Sequence, residues 1–496
     1  MQKKQSEKRP PDRAAASAAG SALGRFLGGY AARGPVRFHM PGHKGARFFR
    51  ELGYGELLGE LPDLDITEIP GADNLFHQEE GGVLREMSEQ YRRIYGVRAS
   101  FPLVNGSSCG LEAAIYYAAR QIRPVFLAAR NCHKAVFNGL EMTGAKTSWV
   151  YPEVLPEGIS GPLTPEEAER GFREVPEAAA LIVTSPNYYG IRSDIRRLAE
   201  TAHRWGAILI VDQAHGAHQV LFDRVEGSRY AAENCGADIV IDSTHKTMAS
   251  FTQTALVNLN GDRVDSDVFG NVLEKFESSS PSYLMMLSLA VNGEITEHRG
   301  EGLVRRWAGD LDWFLPRAKR IPGLRVLEHP MLDRTKIDLD MSRRGLNGQQ
   351  LAAELERRGI VCEMASGNFV MCLSGIGSER RDYERLLRAL EEIAAAGKAG
   401  GTNGNAAGFV PGSFRLEQRD IPTQCEWVAL DRAAGRVCGR QVTPYPPGIP
   451  AVCPGEVMTE AALEAVRGCL ERGEEVMGIR RDPAENDGWT VYCGTK

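Results

Sequence analysis

The chain has 496 residues, of which 43% are hydrophobic and 25% charged, and it carries a formal net charge of −6. That balance fits a soluble globular protein of two or three domains, and it gives no basis for nucleic acid or an anionic membrane surface as partner. Ten cysteines are scattered without a C-x-x-C pair, which argues against a bound metal and for free thiols in a reducing cytoplasm.

The first 34 residues read as a disordered or extended segment. Positions 1–19 are basic and Ala-rich but lack the apolar core of a signal peptide. No apolar stretch reaches the length of a membrane span. A loop-like segment follows at Phe38-His39-Met40-Pro41-Gly42-His43-Lys44-Gly45. Between about residues 80 and 260, strand-like and helix-like stretches alternate. Phe101 to Val104 is a short apolar run before the turn Asn105-Gly106-Ser107-Ser108, and a helix is expected from Gly110, with Leu111, Ala114, Ile115 and Ala118 on one face. The apolar runs Leu181–Thr184, Ala207–Val211 and Asp238–Ile241 end at Ser185-Pro186-Asn187, at Asp212 and at Ser243-Thr244-His245-Lys246. Runs without alternation suit parallel strands buried on both faces, and their alternation with helices predicts a doubly wound α/β layer.

A large domain is therefore expected over 35–300. A small α/β domain over 301–397 is read from a helix at Leu346–Arg358, apolar runs around Val361 and Phe369–Leu373, and a helix face formed by Tyr383, Leu386, Leu387, Leu390 and Ala394. A Gly-rich linker at 398–412 leads to a C-terminal domain over 413–496.

Ligands of such sheets sit beyond the carboxyl ends of the strands, where Lys246, Asp212 and the 105–108 turn all fall. A lysine can hold a cofactor aldehyde as a Schiff base, although a lone lysine after a strand is usually a solvated surface residue. Asp212 could keep the nitrogen of a pyridine cofactor protonated or simply cap a turn. In Asp212-Gln213-Ala214-His215-Gly216-Ala217-His218, small Ala214 can lie against a flat ring, and two histidines crowd the strand end. Ser107 and Ser108 with helix-start N–H groups could cradle a phosphate, or form an ordinary Gly-Ser turn. His133 could stack on a cofactor ring or merely start a helix.

Taken together, F-H-M-P-G-H-K-G (38–45), N-G-S-S (105–108), R-N-C-H-K (130–134), S-P-N-Y-Y-G (185–190), D-Q-A-H-G-A-H (212–218), S-T-H-K (243–246), S-S-S-P-S-Y (278–283) and P-Y-P-P-G-I-P with C-P-G-E (444–456) resemble the Orn/Lys/Arg decarboxylase family. These are pyridoxal 5′-phosphate (PLP) enzymes of fold type I, the aspartate aminotransferase-like fold. The resemblance implies an α/β large domain with a mostly parallel sheet, a small α/β domain and a C-terminal α+β domain. It implies Lys246 as the Schiff-base lysine, Asp212 on the pyridine nitrogen, His133 on the ring face, and Ser107, Ser108 and Ser243 on the phosphate, with Ala214, His215 and His245 lining the site. Lys246, Asp212, His133 and His245 form the implied catalytic set.

Ser279 would reach the phosphate of a neighbouring subunit, in a homodimer or larger assembly, and Glu456 would meet the substrate's distal cation. The implied reaction turns arginine or lysine, ahead of ornithine, into agmatine or a diamine plus carbon dioxide, in polyamine metabolism. Two rivals stay open: another PLP reaction, such as transamination with Arg192 as carboxylate clamp or aldol-type cleavage, and a non-catalytic PLP-binding paralogue. Two positions depart from the family pattern. Gln213 stands where short members usually have Glu, and Cys109 where longer members often have a hydroxyl residue. The receiver-like wing of the acid-inducible members has no counterpart, so a dimer or tetramer is expected rather than a decamer.

Overall fold

The computed structural model describes residues 20–495 except positions 77, 79, 397–408, 411, 446–447 and 485–487. Most of the expected Gly-rich linker, positions 1–19, and Pro446 and Pro447 of the C-terminal motif thus lie outside the described residues.

Seven strands build the central sheet: β1 (Ala99–Leu103), β2 (Val125–Ala129), β3 (Lys146–Val150), β4 (Ala180–Thr184), β5 (Ile208–Asp212), β6 (Ile239–Asp242) and β7 (Ala255–Leu259). Their order is β1-β7-β6-β5-β4-β2-β3. β2 to β6 pair in parallel, and β7 runs antiparallel to both its neighbours. The uninterrupted Ala, Ile, Leu and Val of β4, β5 and β6 are buried on both faces, as sequences lacking polar alternation require. The helix after β1 spans Gly106–Gln121, four residues longer at its start than the periodicity predicts, because the apolar stripe begins only after the first turn. Gly110 lets this helix lie on the sheet: a Cβ there would come within 2.7 Å of Val257 and 3.3 Å of Ile241.

The segment 1–34 is not extended throughout, since Ala22–Ala32 is a helix capped by the Ser21 hydroxyl. Leu23, Leu27 and Tyr30, at one-turn spacing, bury its inner face. The boundary placed at residue 300 falls inside the helix Tyr283–Ala318, which buries Met286, Leu289, Trp307, Leu311 and Phe314 and joins the large and small domains in one core.

The small domain holds an antiparallel sheet in the order β10-β11-β9-β8, from β8 (Arg325–Val326), β9 (Lys336–Asp340), β10 (Met364–Ser366) and β11 (Phe369–Leu373). Its helices are Gly348–Glu356, started by an Asn347/Gln350 capping box, and Arg380–Ala396. The run around Val361 is no strand. Pairing with β11 begins only at Glu363, whose N–H donates to Met371 at 3.0 Å, and Val361 itself is exposed. The C-terminal part has its own core around Val428, Leu430, Val442, Met458, Leu463, Val466 and Val491. That core lies between the helix Glu460–Glu471 and two small sheets, of three and two strands. The chain thus has the expected arrangement of a large mixed sheet flanked by helices, a small α/β domain and a C-terminal α+β domain. All ten cysteines are free thiols, and no helix among the described residues is long and apolar enough to cross a membrane.

Candidate active site at the strand ends

β4, β5 and β6 end side by side, with Thr184 opposite Asp212 and Asp212 opposite Ile241. Asp212 closes β5 and is 2% exposed; its Oδ1 accepts the N–H of Ala214 at 3.2 Å. Burial pushes its carboxyl above the usual range, against the pull of the Lys246 charge. Lys246 sits in the short helical turn Thr244–Thr247 after β6. Its Nζ lies 3.1 Å from His215 Nε2. Burial lowers its affinity for the proton, while Asp212 and then Glu363 oppose that shift.

Three imidazoles surround this lysine, and all are held neutral. Burial, then Lys246 and Lys134, brings His133 down to about 4. Its Nδ1 accepts the Ala135 N–H at 3.3 Å, so it caps the helix Lys134–Thr143. Burial and Lys246 depress His215 further, so its neutral ring accepts the lysine proton at Nε2. Nδ1 of that ring is buried without a partner. His245 is lowered mainly by burial, and its Nδ1 donates to the Thr254 carbonyl at 2.7 Å.

Ser243 and Ser107 meet across the cleft, Oγ to Oγ, at 2.9 Å. The adjoining helix starts at Gly106 with φ +81°, a backbone that side chains rarely adopt. Ser108 lies in the same first turn. Glu277 accepts the N–H groups of Val104 and Asn105 at 2.9 and 3.0 Å, which fixes the loop before that turn.

Behind Asp212, Gln213 donates to Glu233 and Asp242, each at 3.0 Å, and Asn258 donates to the same two carboxyls at the same distance. Burial and the facing Glu233 raise Asp242 well above the normal range. A neutral amide at 213 thus bridges two acids where a third acid would face both.

These residues make a coherent seat for PLP. The serine pair and helix start offer phosphate donors, Asp212 is a buried acid, and among the described residues an imidazole is the one side chain hydrogen-bonded to the Lys246 amine. The orphaned His215 Nδ1 and the flat His133 ring fit a polar aromatic neighbour. Ala214 is buried beside Asp212, as a close-packed ring requires.

Two expectations come out differently. Glu456 is unavailable to a substrate. It is 1% exposed, pairs with Arg130 at 3.0 Å and accepts the Cys453 N–H at 2.7 Å. Arg130 also donates to the carbonyls of Pro450 and Ala451, so the pair fastens the C-terminal domain to the large one. Arg192 is no free carboxylate clamp, because it donates to the Leu332 carbonyl at 3.1 Å, pairs with Asp333 at 3.7 Å and covers the Tyr230 ring. Ser279 stands exposed on the loop 278–280, and the role expected of it on a neighbouring subunit lies outside a single chain.

Sequence reading missed two groups. Tyr188, inside the S-P-N-Y-Y-G motif, lays its ring 4.8 Å from His215 and donates its hydroxyl to Glu363 at 2.9 Å. Lys336, buried on β9, donates to the His215 carbonyl at 2.5 Å and pairs with Asp333 at 3.1 Å, and Asp333 also holds His218. The motif could have flagged Tyr188. Nothing local marks Glu363 or Lys336, which come from another domain.

Comparison with known proteins gives a consistent picture. Residues 22–309 match the family signature "Orn/Lys/Arg decarboxylase, major domain", and residues 416–476 match "Orn/Lys/Arg decarboxylase, C-terminal domain". The chain is 31% identical to the uncharacterized protein YaaO of Bacillus subtilis over 90% of this chain and 94% of that one. It is 29% identical to an arginine decarboxylase of the same organism, over 90% and 93%. The structure of lysine decarboxylase A from Pseudomonas aeruginosa superposes with a TM-score of 0.81 at 20% identity, covering 97% of this chain and 81% of that one.

Proposed function

The chain belongs to the Orn/Lys/Arg decarboxylase family of PLP-dependent amino-acid decarboxylases, and from that premise we propose that it decarboxylates a basic amino acid, arginine ahead of lysine and ornithine last. The products are agmatine or a diamine plus carbon dioxide, and a role in polyamine metabolism belongs to the same proposal. The observation that carries it is the Lys246 amine, 3.1 Å from a neutral His215, at the strand end that also bears buried Asp212. The preference for arginine draws on a full-length relative that is named an arginine decarboxylase.

PLP, when bound, supplies an aldehyde that captures the substrate amine and a ring that accepts the electron pair left by carbon dioxide. The protein's own groups do the rest. Lys246 would hold the cofactor covalently, and burial favours the unprotonated amine this needs. Asp212 would keep a proton on the pyridine nitrogen. The hydroxyls of Ser107, Ser108 and Ser243, with the N–H groups at the helix start, would bind the phosphate. His133 would cover one ring face, with Ala214 close by. Lys246 Nζ, held by His215 Nε2 at 3.1 Å, would deliver the proton to the substrate's α-carbon. His245 lines the same wall, its ring fixed by Thr254.

Homo-oligomerisation is part of the reading. Phe38 is 95% exposed, Val36 and Leu57 also stand in solvent, and Ser279 would complete the phosphate site of a second copy. The setting is cytosolic, supported by ten free thiols. A competition assay with equal arginine, lysine and ornithine tests the substrate order. Arginine should be consumed fastest, and faster loss of ornithine would overturn the ranking.

A further inference from the structure

With Glu456 committed to Arg130, the site needs another acid to recognise a side-chain cation. The nearby carboxyls separate by what they already hold. Asp212 faces Lys246 and Ala214 at the strand end. Asp333 is occupied by Lys336 and His218. Asp338 is buried with no hydrogen-bond partner among the described residues, and burial raises its carboxyl well above the normal range, so it offers no exposed anion.

Glu363 differs from all three. It is exposed, it enters the hairpin of β10 and β11, and among the described residues no lysine, arginine or histidine pairs with it. The Tyr188 hydroxyl fixes one of its oxygens at 2.9 Å and leaves the other open. The Tyr188 ring packs on His215, which touches Lys246. One short chain of contacts therefore runs from the reacting amine to a solvent-facing carboxylate of the small domain.

We propose that Glu363 anchors the distal ammonium or guanidinium of the substrate, oriented by the Tyr188 hydroxyl. The inference rests on the basic-amino-acid reading above, but it commits that reading to a residue. A carboxylate with one oxygen pinned and one free offers a charge-assisted bond to a cation at little reorganisation cost. Because Glu363 belongs to the small domain and Tyr188 to the large one, a bound cation would also hold the two domains together over the cleft.

The test uses the cofactor-loaded protein and three amines: agmatine, 1,5-diaminopentane and pentylamine, which lacks the distal charge. Binding is measured by calorimetry in wild type and in Glu363→Gln. The substitution should weaken agmatine and 1,5-diaminopentane by at least about tenfold and leave pentylamine within about twofold. KM for the basic amino acid should rise by a similar factor, with kcat changed less. Tyr188→Phe, which keeps the charge but frees it, should lose a smaller part of the same discrimination. Doubly charged amines bound as tightly by Glu363→Gln as by wild type would overturn the proposal. So would an equal loss for pentylamine, which would mark a structural role. Calorimetry gives its answer even if the wild type releases no carbon dioxide, so failure of the anchor and failure of the decarboxylase reading are told apart.

Discussion

His133 carries a signature that pH can read. Its proton affinity falls from about 6.5 in an unfolded chain to about 4 in the fold, because burial and two lysines disfavour its charge. The unfolded chain therefore binds the proton first as pH falls, and the native state of the cofactor-free protein loses stability between pH 6.5 and 4. The full loss from this group is roughly 3 kcal/mol. His133→Asn retains a good helix cap and removes the titration, so urea unfolding should show a shallower acid decline than wild type. Gln213 gives a prediction of opposite sign. Gln213→Glu would set a third acid against Glu233 and Asp242, raising folded-state affinities for protons. Its stability deficit, about 3 kcal/mol at pH 8, should shrink toward pH 5.5 as those carboxyls protonate, and unfolding midpoints at the two pH values measure it. At this scale the strand-end residues were legible because each ends an apolar run, which fixes its position in a parallel sheet. The purpose of Gln213 was not legible, since its partners lie 20 and 29 residues further along the chain.

Among the elements, the strands at the heart of the large sheet could be read from sequence to within a residue, because burial on both faces leaves an unbroken apolar signal. The helix Ala22–Ala32 also had a readable stripe in Leu23, Leu27 and Tyr30, masked by the Gly- and Ala-rich composition around it. The hairpin of β10 and β11 was misplaced by its apolar lead-in at Val361. Its first paired residue, Glu363, becomes meaningful only when the small domain is folded against the Tyr188 turn. The C-P-G-E turn shows the opposite failure: its motif position implied substrate contact, whereas folding places Glu456 on Arg130 with both side chains about 3% exposed or less. Glu456→Gln should therefore act on domain docking, leaving the Arg130 charge buried and unpaired at a cost of about 3–5 kcal/mol. Thermal unfolding should show that loss, with discrimination between diamine and monoamine unchanged. Replacing both partners by apolar residues, Arg130→Met with Glu456→Leu, should recover most of the stability.

At the level of the whole molecule, the proposed reading has a second copy complete the site. Phe38, Val36 and Leu57 are exposed apolar side chains that a second copy would cover, and Ser279 is exposed as well. Light scattering should give at least twice the mass of one chain. Phe38→Asp combined with Leu57→Asp should shift the protein toward monomers that retain PLP less well, and a variant that stays dimeric would remove this face from the interface. Purified wild-type protein with PLP is incubated separately with arginine, lysine and ornithine, and carbon dioxide and organic product are quantified together, with Lys246→Ala as control. Equal amounts of carbon dioxide and of agmatine or diamine are expected from at least one substrate, with no 2-oxo acid, and with turnover reduced by orders of magnitude in Lys246→Ala. Absence of carbon dioxide from all three, or a 2-oxo acid as the main product, would contradict decarboxylation.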